Sequence, residues 1–185
     1  MRKLHAALAA TLAVFSVIPT AGAQTGGASS QAMPVGFRQE FLGQFNISMS
    51  KFIALAEAMP AEKYAWSPGA GVMSVAKVYA HVAHYNYRYP SLNMSVALPA
   101  GVRLDTLEAV AAKAQVLALL RQSGEFVRAA VNEMSESQLA AQTRLYGRDV
   151  HRWAVLFQLL AHMNEHLGQS IAYARMNGVV PPWSG

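Results

Sequence analysis

Apolar and polar positions follow a helical period over most of this chain. In the first long stretch, residues 34–59, apolar side chains recur every three or four positions, which predicts a helix with one apolar stripe. Pro34 suits the first turn of this helix, and Pro60 ends it. The residues of the stripe are Phe37, Phe41, Phe45, Met49, Phe52 and Leu55.

Three later stretches show the same period. The pattern predicts a second helix over 74–95, which has few polar residues and which Pro90 kinks or ends early. It predicts a third helix over 105–134 and a fourth over 150–176. Long helices joined by short connections are typical of a four-helix bundle, so we expect an all-α fold with little room for a sheet.

The ends of the last two helices carry capping signals. Asp105 or Thr106 is suited to cap the start of the third helix, and Gly124 is expected to bend that helix near its middle. Gly178 is suited to the left-handed residue that ends the fourth helix.

The first residues have the layout of a secretory signal peptide. Arg2 and Lys3 precede an apolar run, and small residues lead up to Ala23, after which cleavage is expected. A flexible leader rich in Gly, Ser and Ala is predicted over 24–33, followed by one domain over 34–182. No segment is long enough to span a bilayer, so we expect an exported protein, periplasmic or secreted, without membrane contact once the signal is removed.

The amino-acid composition excludes several kinds of partner and active site. The formal net charge is +5, and the basic residues are spread along the chain without a cluster, so we expect no nucleic-acid partner. The chain has no cysteine, which excludes disulfides, thiolate metal sites and cysteine nucleophiles. A metal ion would have to be held by histidine, carboxylate or backbone oxygen.

The histidines are the candidate metal ligands. His162 and His166 stand four residues apart, so both project from the same face of the fourth helix. His81 and His84 lie among apolar and aromatic residues of the second helix, and ligands from facing helices can meet in a bundle core. Three imidazoles with an open fourth position are a known environment for Zn²⁺. A single helical histidine is more often a surface or hydrogen-bonded core residue, and that interpretation stays open here.

The segment His162–His166 also reads H-x-x-E-H, a metalloprotease pattern in which Glu165 would be the general base. The pattern needs a further carboxylate ligand downstream, and no acidic residue follows His166. The protease interpretation is therefore weak. Glu165 is expected to face solvent or to contact a ligand histidine.

Two segments resemble the DinB/YfiT-like superfamily of metalloenzymes. They are "MPAEKYAWSPGAGVMSVAKVYAHVAHYN" and "HMNEHLGQSIAYARMNGVVPP", which occur in the order and at the separation typical of the family. The resemblance covers residues 34–182 and implies a four-helix bundle of up-down-down-up topology. It implies a divalent metal ion held by His81, His162 and His166, with His84 as a possible substitute for His81.

The resemblance also includes a Gly-Gln step and a Y-x-R motif in the last helix. Gly168 is expected to let another helix approach closely, at a cost of about 1 kcal/mol relative to alanine. Gln169 completes the step. Tyr173 is expected to pack, and Arg175 to interact with the helix dipole.

Two functions remain open at this stage. The resemblance implies an exported metal-dependent enzyme, a hydrolase or thiol-dependent transferase, using Zn²⁺ or Ni²⁺ and an unknown small-molecule substrate, with Tyr79, Tyr85 and Glu165 as candidate pocket groups. The small thiols used by some relatives are chiefly cytoplasmic, which fits poorly with export. The alternative is a non-catalytic exported bundle with a structural or scavenged metal. A homodimer is also expected, through the aromatic-rich first and second helices. Proton competition for the histidines is expected below about pH 6.5.

Overall fold

The computed structural model of the protein describes residues 33–184, where the chain forms six α-helices and one hairpin. The predicted signal peptide, 1–23, and nearly all of the predicted leader, 24–33, lie outside the described residues. The helices are α1 (Phe37–Ala58), α2 (Val75–Met94), α3 (Leu104–Leu107), α4 (Lys113–Glu133), α5 (Glu136–Ala140) and α6 (Arg152–Met176), and the strands are β1 (Gln142–Leu145) and β2 (Arg148–His151).

The long helices α1, α2, α4 and α6 form the bundle. Among the described residues, α2 packs along α4 and α6, and α1 packs along the same two helices. The helices α1 and α2, which follow each other in the chain, therefore sit diagonally across the bundle. The packing of the four long helices confirms the predicted all-α four-helix bundle. No helix in this part of the chain is long and apolar enough to cross a lipid bilayer.

The apolar stripe predicted for the first helix lies in the core. Phe45, Phe52 and Leu55 are completely buried, and Phe41 and Met49 nearly so. Phe41, Phe45 and Phe52 of α1 therefore belong to the core.

The helix α2 continues through Pro90 to Met94, so the proline does not end it early. Ser74 caps its first turn by accepting a hydrogen bond from the backbone N–H of Lys77 at 3.2 Å. Ser95 ends it in the left-handed conformation, with a φ of 63°. The helix is therefore long enough to carry His81 and His84 and, after them, Tyr85, Tyr87 and Tyr89.

The predicted third helix, 105–134, is wrong at its start. The structure has the short helix α3, a break, and then α4 beginning at Lys113 after Ala112 rather than after Asp105 or Thr106. The segment at the break is alanine-rich, but tertiary contacts outweigh its helix propensity. Leu107 is buried against the core, and the next residue, Glu108, reaches α2.

The helix α4 itself runs without interruption through Gly124. A Cβ atom at that position would lie 3.1 Å from the Met49 side chain, which indicates close packing of α1 against α4. Gly124 therefore allows α1 to approach α4 closely.

The described residues also contain one small sheet, in which β1 and β2 form an antiparallel hairpin. Tyr146 and Gly147 connect the strands with φ values of 50° and 78°. Positive φ at both central residues is typical of the two-residue hairpin turn that matches strand twist. A glycine between short alternating segments was the sequence signal for this hairpin.

Arg38 joins α1 to the end of α4 and is expected to be a large contributor to stability. It donates hydrogen bonds to the carbonyl oxygens of Val131 and Met134, the latter at 2.6 Å, and pairs with Glu136. Arg38→Ala leaves carbonyl groups at the helix end without this donor, so the free energy of unfolding should fall by about 1 to 3 kcal/mol. Urea denaturation measures the loss.

Arg121→Ala is the matched control for this prediction. Arg121 pairs with Glu57, and both side chains are about half exposed. Surface pairs of this kind contribute about 0 to 1 kcal/mol. Equal destabilisation by the two variants would contradict the role given to Arg38.

Candidate metal centre

The packing of α2 against α6 brings three histidines together. His81 projects from α2, and His162 and His166 project from one face of α6. One ring nitrogen from each lies within 4.8 Å of the others, and all three residues are half-buried. The structure therefore assembles the three residues for which the sequence predicted a shared site.

Two of the ring nitrogens are already spaced as metal ligands would be. The Nε2 atoms of His81 and His162 are 3.2 Å apart. Two nitrogens bound tetrahedrally to one Zn²⁺ would be separated by about 3.3 Å. Without a metal, a proton carried by one Nε2 would bridge the same gap as a hydrogen bond. In both states the two Nε2 atoms face each other across the same place.

Glu108 orients His81 from the opposite side of the ring. Its carboxylate oxygen Oε1 lies 2.8 Å from His81 Nδ1, so Nδ1 carries the proton and donates it. The Nε2 lone pair then faces the other histidines. A carboxylate behind a ligand histidine holds the tautomer and makes the ring a stronger ligand.

A second chain of hydrogen bonds orients His166. Its Nδ1 lies 2.8 Å from Oε1 of Gln169, and the Gln169 amide donates to the hydroxyl of Tyr173 at 2.9 Å. Trp66 packs edge-on against the Tyr173 ring, with 5.3 Å between centroids. The proton on His166 is thereby held at Nδ1, which leaves Nε2 free to bind a metal.

Burial favours the neutral forms of His162 and His166. It is the main reason that the pKa of His162 falls from 6.5 to about 3, with the His166 and His81 imidazoles lowering it further. Burial also lowers the pKa of His166, against the opposite effect of its bond to Gln169. Proton competition for these two ligands therefore begins below the value of 6.5 expected from the sequence.

The same pKa shift predicts how the metal-free protein responds to acid. Between pH 6.5 and about 3, the unfolded chain binds a proton at His162 that the folded chain does not, so stability falls as pH falls. Allowing for the partial exposure of the ring, the loss from about pH 7 to about pH 4 should be near 2 kcal/mol. Urea denaturation of wild type and His162→Gln at both pH values isolates this loss. A wild type with the pH dependence of the variant would disprove it.

His84 does not join the cluster. Its Nδ1 atom lies 3.1 Å from the carbonyl oxygen of Leu104, which ties α2 to α3. Its pKa is lowered, chiefly by burial. His84 thus helps to hold the segment that presents Glu108.

The three candidate pocket groups have different positions. Tyr85 lies at the site, with its ring centroid 4.2 Å from that of His162 and 4.8 Å from that of His81. Tyr79 is buried in the core beside Phe52 and Tyr64, and burial raises its pKa.

Glu165, the third candidate, is exposed on α6, and no hydrogen bond joins it to another described residue. Its charge still reaches the cluster, where it acts to raise the pKa of His166. Glu165 therefore influences the pKa of His166 without forming a hydrogen bond to it. Of the three candidates, Tyr85 alone lies against the histidines.

Sequence reasoning missed Glu108 as a partner of the site and underestimated Gln169 and Tyr173. Glu108 resembled an ordinary first-turn acid, and no sequence signal linked it to His81. The Gly-Gln step and the tyrosine four residues later did signal the second chain of bonds, but Tyr173 was expected only to pack. The close approach expected at Gly168 is wrong, because a Cβ atom there would meet nothing within 4 Å.

The bundle defines a class of helical protein in which three histidines between α2 and α6 could hold a metal ion. The sequence profile of the DinB superfamily matches residues 44–173. The chain belongs to the DinB superfamily. No curated protein matches it significantly.

Solved structures share the fold at low sequence identity. A DinB-like protein from Bacillus cereus ATCC 10987 aligns with a TM-score of 0.68 and 17% identity, covering 80% of this chain and 97% of its own. A DinB-like protein from Bacillus subtilis has a TM-score of 0.60 and 20% identity, over 75% of this chain and 92% of its own. A conserved protein from Enterococcus faecalis has a TM-score of 0.58 and 16% identity, over 78% and 98%.

Proposed function

We propose that this protein is an exported, divalent-metal-dependent enzyme whose centre is the cluster of His81, His162 and His166. The observation that carries the proposal is the orientation of the rings. Glu108 and Gln169 hold the protons of two rings at Nδ1, and the remaining ring nitrogens meet within 4.8 Å. Histidine nitrogen is a good ligand for Zn²⁺ and Ni²⁺, the two ions we propose.

The ligand number favours an enzyme over a structural metal site. Structural zinc sites are almost always closed by four protein ligands, whereas catalytic sites commonly have three and leave one position for substrate or water. Within residues 33–184, no fourth histidine or carboxylate joins the group of three. The three histidines are half-buried, so solvent reaches part of the cluster.

Each residue of the site has a distinct part in this proposal. The three imidazoles are neutral ligands, so a bound ion would keep its full charge and could polarise a carbonyl group or acidify a water or thiol. Glu108 supplies one negative charge behind His81. Tyr85 covers one side of the histidines with its ring and is suited to contact a substrate. We propose a hydrolase or a thiol-dependent transferase acting on a small molecule.

One observation supports the alternative of a non-catalytic bundle with a structural or scavenged metal. The acid nearest the site, Glu108, is engaged with His81, and the other acid near the ligands, Glu165, is exposed. Neither is in position to act as a general base beside the cluster. Metal-dependent chemistry would therefore depend on the ion or on a group of the substrate.

A comparison of wild type with His162→Ala distinguishes the two functions. Both proteins, purified without a histidine tag and incubated with Zn²⁺ or Ni²⁺, are screened against ester, amide, phosphoester and thiol-transfer substrates. The enzyme proposal expects activity in the wild type that disappears in the variant. Equal activity in the two proteins would overturn it, and metal uptake without any activity would favour the non-catalytic bundle.

Export and assembly are separate proposals. Arg2, Lys3 and the apolar run before Ala23 support export, and the test is N-terminal sequencing of protein recovered from the periplasm or medium, which should begin at Gln24. We also propose a homodimer. Light scattering at micromolar concentration that gives only the mass of one chain would contradict it.

A further inference from the structure

We infer that Arg88 binds the carboxylate of a substrate whose reacting end lies at the three histidines. The inference rests on the proposed function, because it names the substrate class of the same site. The class is a small carboxylic acid with an apolar or aromatic body between its two ends.

Arg88 lies on the same face of α2 as the site. His81, Tyr85 and Arg88 follow at intervals of four and three residues, which places them in one row along the helix. Seven residues of helix correspond to about 10 Å of rise. An arginine side chain near one end of such a row and a metal ligand at the other are spaced for the two ends of one small molecule.

The Tyr85 ring fills the space between these two ends. The guanidinium carbon of Arg88 is 6.0 Å from the centroid of the Tyr85 ring, and that ring is 4.2 Å from the His162 ring. The contact with the ring restrains the arginine near the site. An apolar or aromatic body lying on Tyr85 would therefore have a cation at one edge and the ligand cluster at the other.

The donors of Arg88 are free to bind. Among residues 33–184, Arg88 forms no ion pair and no side-chain hydrogen bond, and it is exposed. Other arginines near this end of the bundle are engaged: Arg103 with Asp105, Arg144 with the carbonyl of Gly147, and Arg152 with Ser95. A guanidinium whose planar donors are unused is suited to bind a carboxylate through two parallel hydrogen bonds.

The charge balance of the site points to the same ligand. The cluster consists of neutral imidazoles, and its nearest acid, Glu108, is bonded to His81 on the far side of the ring from the other histidines. With a divalent ion held there, the charges of the ion and Arg88 together exceed those of Glu108 and Glu165, so the site is positive. An anionic substrate is attracted to such a site, and a cationic one is repelled.

The test measures binding to protein loaded with one Co²⁺ per chain, whose visible spectrum responds to ligands of the ion. Mercaptohexanoate and mercaptohexanol serve as probes, because they share a thiol and an apolar body and differ in the carboxylate. Wild type is expected to bind the acid about tenfold more tightly than the alcohol. Mercaptopropionate, which is too short to reach Arg88, should show a smaller preference over mercaptopropanol.

Arg88→Gln should remove the preference for the acid while leaving the affinity for mercaptohexanol and the Co²⁺ content unchanged. Arg88→Lys should keep part of the preference, since it retains the charge but not the paired donors. Equal wild-type affinity for the two long thiols, or an equal effect of Arg88→Gln on both, would overturn the role of Arg88 and leave the metal site standing. A spectrum that responds to neither thiol would overturn the proposed open metal position and, with it, this inference.

Discussion

His162→Ala is expected to reduce bound metal from about one ion per chain to less than about 0.1 after incubation with Zn²⁺ or Ni²⁺. His162 provides a lone pair directly opposite that of His81, with 3.2 Å between the two Nε2 atoms. It is also the ligand whose low pKa keeps it unprotonated well below neutral pH. Removal leaves two imidazoles, too few to hold a divalent ion against dilution. Elemental analysis of protein without a tag measures the result.

Two further histidines provide the controls for this loss. His151→Ala removes an imidazole at the end of β2, away from the cluster, and should leave the metal content unchanged. His84→Ala tests whether His84 substitutes for His81. Because His84 bonds the Leu104 carbonyl and stands outside the cluster, this variant should still bind one ion. A His162→Ala protein that retains a full equivalent of metal would refute the three-histidine centre.

Glu108→Gln is expected to weaken metal affinity by about 10- to 100-fold while leaving the fold intact. The substitution keeps an oxygen that can accept the proton of His81 Nδ1 but removes the negative charge that strengthens the ring as a ligand. The carboxylate is about one-third exposed, so the effect on folding should be small. Competition with a zinc-binding dye measures the affinity.

Glu165→Gln is the matched control. It removes the same charge from a position on α6 between two ligand histidines, where the carboxylate is exposed and has no hydrogen-bond partner among the described residues. Its affinity for zinc should change by less than about threefold, as expected for a screened surface charge. Equal losses of zinc affinity in the two glutamate variants would show that Glu108 acts through its negative charge alone and not through its hydrogen bond to His81.

The first, second and last long helices were predictable because their periodicity directly records which face is buried. The stripe of α1 reached the core as predicted, and α6 begins and ends within a few residues of the predicted range. Prediction failed where tertiary contacts compete with local preference. The alanine-rich start of the predicted third helix is broken because burial of Leu107 and the bond from Glu108 to His81 outweigh helix propensity.

The candidate site also contains some residues that the sequence could predict and others that only tertiary contacts brought together. His162 and His166 share a face by helix geometry alone, so their spacing in the sequence was sufficient to predict a pair. The sequence offered His81 and His84 as further ligands from a facing helix, and the family resemblance was needed to favour His81, because no local rule relates α2 to a helix some eighty residues later in the chain. The role of Glu108 had no sequence signal, since an acid near a helix start is common for reasons unrelated to metals.

The amino-acid sequence by itself determined the four long amphipathic segments, the DinB resemblance, the absence of cysteine ligands and the histidine pair on the last helix. The helical segments and the histidine pair depend only on neighbours within a few turns of one helix. Tertiary structure alone decided which helices pack together, where the third long helix begins, and which side chains hold the ligand rings. Those outcomes depend on contacts between distant segments, and the bond between His81 and Glu108 exists only after α2 and α3 have come together.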